Sequence, residues 1–308
     1  MHGDITNLDR IVITQKDLEA YQQNHEMLLT FFKRELVVNT FLFLGYSFTD
    51  TMVLSCLTSV NHCLGDSANS HFAILKKKNT KDFPHFITNL EKRYNIRILL
   101  INDYDELPSI LQELKERITQ KNIFFSGVFE RLNPQEDEFA EQLCKKLTDR
   151  LLRSSYHIYT GYGRNFGNYL CGSSIQFLLA HNMEVDRYLI MRPFLRTMSN
   201  DEKAAHRKML ISECKYAIFM FGQSPVNGKY VNATGMWKEF NIAREEGKIV
   251  IPVGCTGYTA HEIWNEIKNN LSHYPYLEKY IDMLGGLEGG QDIGALVEAI
   301  FQIIENCS

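Results

Sequence analysis

The strongest constraint on this 308-residue chain is a repeated alternation of two patterns. Short, unbroken apolar runs alternate with segments whose apolar residues recur at helical spacing. Thr40 to Leu44, His71 to Leu75 and Ile96 to Ile101 are such runs. Runs of this kind suit parallel strands buried on both faces. Helical patterns near 83–94 and 106–118 separate them. An earlier helix is expected from Thr14, a capping residue with Asp17 three positions on, and from Leu18, Tyr21, Leu28, Phe32 and Leu36. A second series starts at Asn122. Its strands are expected at Ile123–Phe125, His157–Tyr159, Tyr188–Met191, Ala217–Phe221 and Ile249–Val253. Helices fit near 135–152, 164–180, 201–214, 235–246 and 259–270, with a last one over 291–305. Strand-helix alternation implies right-handed crossovers and parallel sheets, hence an α/β fold. At ~150 residues per domain the length suits two domains. The expected boundary is at Thr119-Gln120-Lys121, giving 1–121 and 122–308. Gly285 to Gly290 are expected to form a flexible connector before the last helix.

Composition excludes several classes. The net charge of −4 supplies no basic field, so nonspecific nucleic-acid binding is disfavoured. The sequence has no run of about eighteen apolar residues, so no membrane span is expected. The first residues lack the basic and apolar regions of a signal peptide, and a cytoplasmic location is expected. The seven cysteines form no Cys-x-x-Cys pair and read as reduced, buried thiols. The ten histidines show no metal-ligand spacing, so no metal is expected.

Ligands of open α/β sheets sit outside the carboxyl ends of the strands. In the second half those positions carry distinctive chemistry. Ser126-Gly127 follows the first strand, where a glycine admits a phosphate and a hydroxyl donates to it. Gly161 and Gly163 follow the second strand, in a Gly-x-Gly-x-x-x-Gly turn opening a helix whose N-terminus favours anions. Turns need glycine for their own geometry too. Arg192, in Met191-Arg192-Pro193-Phe194, is placed to fork onto phosphate. Of His206-Arg207-Lys208, one basic residue is expected to face the crevice and another the solvent. Lys229 lies in a loop suited to a phosphate contact or to plain exposure. Glu239, one turn into the helix opened by Gly235, is placed to hold ribose hydroxyls, or simply to favour the helix dipole.

Together these residues resemble the SLOG superfamily, a Rossmann-like group that includes lysine-decarboxylase-like enzymes. The resemblance covers about residues 122–305. Enzymes of that group carry a Pro-Gly-Gly-x-Gly-Thr-x-x-Glu loop. Here the segment is Asn232-Ala233-Thr234-Gly235-Met236-Trp237-Lys238-Glu239, with one glycine. That departure implies ligand sensing over base-releasing hydrolysis.

In the first half, His2-Gly3-Asp4, Gly45-Tyr46-Ser47 and Asp103-Tyr104-Asp105 resemble the sirtuin-like NAD-consuming domain. The resemblance implies His2 as catalytic base, Gly45 and Ser47 lining the cofactor site, and Asp103 near the adenine end. The four-cysteine zinc module of many sirtuins has no counterpart. The family's Gly-rich pyrophosphate loop would precede His2, so the first Rossmann-like domain is expected to be incomplete, with an exposed apolar strand edge.

A sirtuin-like half joined to a SLOG half resembles the effector family of the Thoeris anti-phage system. The resemblance implies NAD+ as substrate, with a cyclic ADP-ribose isomer, made by a TIR-domain protein, as activator. It also implies a homo-oligomer, tetrameric in the family. Two other readings stay open: a lysine-decarboxylase-like phosphoribohydrolase acting on nucleotides, and a non-catalytic, ligand-binding regulatory subunit.

Overall fold

A computed structural model of the chain describes residues 26–226, 229–286 and 292–308. His2 and the helix expected from Thr14 lie outside the described residues, as does most of the expected 285–290 connector. The chain divides into two compact units, Met1–Leu111 and Gln112–Ser308. The division falls ten residues before the expected boundary, inside a helix.

In the first unit the order is α1 (Glu26–Val38), β1 (Leu42–Leu44), α2 (Thr51–Leu64), β2 (His71–Lys76), α3 (Phe83–Tyr94) and β3 (Ile96–Ile101). The helix α4 (Leu107–Thr119) follows. The three strands form a parallel sheet in the order β1-β2-β3. Asp50 caps α2 by accepting from Met52 N–H at 2.9 Å. Asn95, with φ of 52°, takes the left-handed conformation that ends α3 and starts β3. In α1 the inward residues are Leu29 and Leu36, while Leu28 is exposed. Of the expected Leu28-Phe32-Leu36 stripe, Leu36 is buried and Phe32 packs against the core, while Leu29 takes the inward place expected of Leu28.

One face of this sheet carries Ala73, Leu75 and Ile96, buried against residues of α1, α2 and α3. The opposite face carries Leu42, Leu44, Phe72 and Leu99, which are exposed, while Ile74 and Ile101 on the same face are buried. The edge strand β1 exposes Leu42 and Leu44, and apolar exposure extends across part of one face to Phe72 and Leu99.

In the second unit the order is β4 (Asn122–Val128), α5 (Pro134–Arg153), β5 (His157–Thr160), α6 (Phe166–Ala180), α7 (Val185–Tyr188), β6 (Leu189–Met191), α8 (Asn200–Ser212) and β7 (Tyr216–Phe221). Then come β8 (Gln223–Val226), β9 (Lys229–Asn232), α9 (Thr234–Glu245), β10 (Ile249–Val253), α10 (Tyr258–Asn269), α11 (Ile281–Gly285) and α12 (Ile293–Asn306). Five strands form a parallel sheet in the order β10-β7-β4-β5-β6. Capping boxes start two helices, with Asn133 and Glu136 at α5 and Ser199 and Glu202 at α8. Strands β8 and β9 form an antiparallel hairpin, which the sequence reading had as loop.

Strand order reverses between β4 and β7. This is the switch point where a crevice opens at the carboxyl ends of a doubly wound sheet.

Gly285 is an element residue rather than part of a free connector. It closes α11 against Trp264, and a Cβ there would lie 2.2 Å from the indole Cζ2. The ring cannot yield freely, because its Nε1 donates to the Ile281 carbonyl at 2.7 Å. Gly172, in α6, has open space where a Cβ would stand. Gly285→Ala is therefore expected to destabilise by about 2–3 kcal/mol through overpacking. Gly172→Ala should stabilise by up to about 1 kcal/mol through helix propensity. Urea denaturation of the two variants checks both signs.

Candidate functional site

The turns after β4, β5 and β6 lean on one another at the carboxyl edge of the five-stranded sheet. Their glycines are required by that contact. A Cβ on Gly163 would lie 1.9 Å from the Gly127 carbonyl oxygen, a backbone atom with no freedom to move aside. A Cβ on Gly127 would meet the Phe166 ring at 2.5 Å, and one on Gly161 would meet the Phe194 ring at 2.6 Å. With their bare faces packed against neighbouring turns, these glycines have only their backbone to offer the expected phosphate. The β5 turn is held further by Arg164, which pairs with Glu130, and by Asn165 Nδ2, which donates to the Glu130 carbonyl at 2.8 Å. Tyr162 and Asn165 sit at φ of 54° and 55°, uncommon for residues with side chains.

Beside this stack, three residues from distant segments converge. Ser126 ends the buried part of β4, opposite Phe219 of β7. Its hydroxyl donates to Glu239 Oε2 at 2.6 Å. Arg207, on the second turn of α8, donates from Nε to Glu239 Oε1 at 3.2 Å. The two side chains of that ion pair are only 14% and 11% exposed. Burial raises the Glu239 carboxyl above its ordinary value, and the Ser126 and Arg207 contacts pull it down without cancelling the rise. Glu239 was expected to face a ribose; in this structure both its oxygens are engaged by protein. Arg207 is the inward member of the basic trio. Lys208 is exposed, and His206 Nε2 donates to the Arg192 carbonyl at 2.9 Å.

Arg192 departs from expectation. Its fork is already taken by Glu213, with Nη1 and Nη2 donating at 2.8 and 3.0 Å. This bidentate pairing holds the guanidinium charge firmly in place. Lys229 stands exposed on β9, not in a loop. The hairpin's base is fastened by Gln223, which accepts from the Glu130 and Arg131 N–H groups, and by Asn232, which pairs with Glu262. The sequence signal for this hairpin is Asn227-Gly228, a dipeptide that favours two-residue hairpin turns. Glu213 had no local signal.

In the first unit Gly45 ends β1 at φ of 62°, a conformation that favours glycine. Ser47 is exposed and bonds Thr49 at 2.8 Å. Asp103 follows β3, caps the next turn and pairs with Lys76 at the end of β2. That contact and the Tyr104 N–H hold its carboxyl below the ordinary range. Gly45 and Asp103 thus occupy one sheet edge, two strand spacings or roughly 10 Å apart. The Tyr46 hydroxyl is buried without a hydrogen-bond partner, and burial, with Asp50 nearby, pushes it up to about 12. Among the described residues no cluster of three or more potential metal ligands occurs.

Comparison with known proteins fits these two units. The Sir2- and TIR-associating SLOG family matches residues 106–307, and the SIR2-like domain family matches residues 1–99. The chain belongs to the Sir2- and TIR-associating SLOG family. Curated relatives carry both parts. The NAD(+) hydrolase ThsA of Bacillus cereus (strain MSX-D12) is 30% identical over 99% of this chain and 68% of its own length. The proteins of the same name from Acinetobacter baumannii (strain 532279) and Enterococcus faecium are 31% and 29% identical, over 62% and 69% of their lengths. The chain thus spans about two thirds of the length of these relatives. The SLOG-family unit is the one that holds the Ser126-Arg207-Glu239 cluster.

The raised Glu239 carboxyl has a consequence for stability. A carboxyl with a higher pKa in the folded state favours folding below its unfolded value. That contribution is lost as pH rises through the folded value. Glu239→Gln removes the titration. The unfolding free energy of the wild type, relative to that of Glu239→Gln, should therefore fall between about pH 4 and about pH 7.5. Urea denaturation at the two pH values reads this difference.

Proposed function

We propose that the SLOG-family unit binds a cyclic ADP-ribose isomer and is the sensor of a Thoeris-type effector. The single observation that supports this most is the convergence of Ser126, Arg207 and Glu239 at the switch point of the sheet. Such a ligand carries a pyrophosphate, two riboses and an adenine. Arg207 supplies a planar cation for the pyrophosphate, and Glu239 supplies an acceptor for ribose hydroxyls. Binding exchanges one partner for another: the phosphate competes with Glu239 for the guanidinium. Ser126, Gly127, Gly161 and Gly163 form the floor. Lys229 and Arg192 contribute charge from the rim, Arg192 while held by Glu213.

In this reading NAD+ is the substrate of the SIR2-like unit. His2 serves as base, Gly45 and Ser47 line the dinucleotide site, and Asp103 stands toward the adenine end. The signal comes from a TIR-domain protein, and the effector works in the cytoplasm as a homo-tetramer. Among the described residues no helix is long and apolar enough to cross a membrane.

Isothermal titration with cyclic ADP-ribose isomers tests the sensor role. One isomer should bind, and Arg207→Ala and Glu239→Ala should each weaken it at least about tenfold, the size of a lost charged hydrogen bond. Lys229→Ala should cost only about two- to fivefold, as suits an exposed charge. Absence of heat from every isomer, with folded protein, rejects the reading. Nicotinamide release from NAD+, lost in His2→Ala, is the matching test for the SIR2-like unit.

A further inference from the structure

Phe194 has no assigned role, yet it touches three parts of the candidate site. Its ring lies against the bare face of Gly161, where a Cβ would stand 2.6 Å from Cε2. The Arg207 guanidinium carbon sits 4.9 Å from the ring centroid, and the His206 ring meets it edge-on at 4.8 Å. His206 is itself anchored to the Arg192 carbonyl, so the strand-end turn and α8 hold the ring from both sides. Arg207 bonds Glu239 from Nε at 3.2 Å, and one bond leaves any swing of the guanidinium about it to be limited by packing, with Nη2 close to Gly235. An aromatic face is attractive to a guanidinium and restricts that swing.

We propose that Phe194 is a positioning residue that holds the Arg207 guanidinium at the switch-point crevice. A side chain at Gly161 would collide with this ring. Phe194 acts through Arg207 and needs no contact with ligand. The consequence for affinity rests on the reading of Arg207 as the ligand's anion partner; the positioning itself does not.

The test separates the two. Arginine labelling with phenylglyoxal, read residue by residue by peptide mass spectrometry, reports how freely Arg207 moves. Phe194→Leu should speed labelling of Arg207 by about three- to tenfold, within the range expected for a cation–aromatic contact. Phe194→Tyr keeps the ring and should restore the wild-type rate. Arg192, two residues away and clamped by Glu213, should label at one rate in all three proteins. General loosening of the turn would instead raise Arg192 and Arg207 together, and that result overturns the proposal. So does an unchanged Arg207 rate in Phe194→Leu. Phe194→Met, similar in volume and without a ring, replaces the leucine variant if that one fails to fold. Titration with cyclic ADP-ribose isomers should show Phe194→Leu weakened by the same factor as the labelling change. Failure of the wild type to bind any isomer removes the sensor reading and leaves labelling to decide the role of Phe194.

Discussion

Strand β7 sits between β10 and β4 with every residue from Tyr216 to Phe221 at most 2% exposed. A strand buried on both faces and both edges has no access to water for its backbone groups, so its neighbours must supply every hydrogen bond. That requirement places parallel strands on either side and apolar layers above and below. Only the carboxyl and amino edges of the sheet remain for chemistry. Polar groups brought to the carboxyl edge emerge beside a low-dielectric core, where a carboxylate and a guanidinium interact more strongly than they would in water.

The Ser126-Glu239-Arg207 cluster lies at that boundary. A buried carboxyl is costly unless it is hydrogen-bonded and paired, and Glu239 has one partner on each oxygen. The cluster is therefore satisfied in the absence of ligand. In the proposed sensor role, an incoming anion has to offer Arg207 more than Glu239 does. Such competition would favour a dianionic pyrophosphate over a monoanion. The Gly161 turn matters here because its bare face makes room for the Phe194 ring.

The first unit shows the same strand logic with a different outcome. Its three parallel strands bury one face against residues of α1, α2 and α3, and leave Leu42, Leu44, Phe72 and Leu99 exposed on the other. Parallel sheets ordinarily have both faces covered. Asp103 and Lys76 satisfy each other at the carboxyl edge, so Asp103 is engaged much as Arg192 is in the second unit.

Local pattern was enough to place the strands of the two parallel sheets and the longer helices, because a period of two or 3.6 residues is written within a few positions, but it did not reveal the β8-β9 hairpin. The strands at 96–101 and 249–253 and the helix at 83–94 coincide with their sequence ranges. The glycines at strand ends were legible as positions where a side chain is not tolerated. Their reason was not, since it lies in the neighbouring turn. The sequence by itself therefore determined the α/β class and the strands that build the two parallel sheets. Tertiary structure decided which polar residues meet. Arg192 finds Glu213 21 residues away, Arg207 finds Glu239 32 away, and Ser126 finds Glu239 113 away. Those distances are bridged only by the strand order β10-β7-β4-β5-β6, which follows from how the whole core packs and leaves no trace in local spacing.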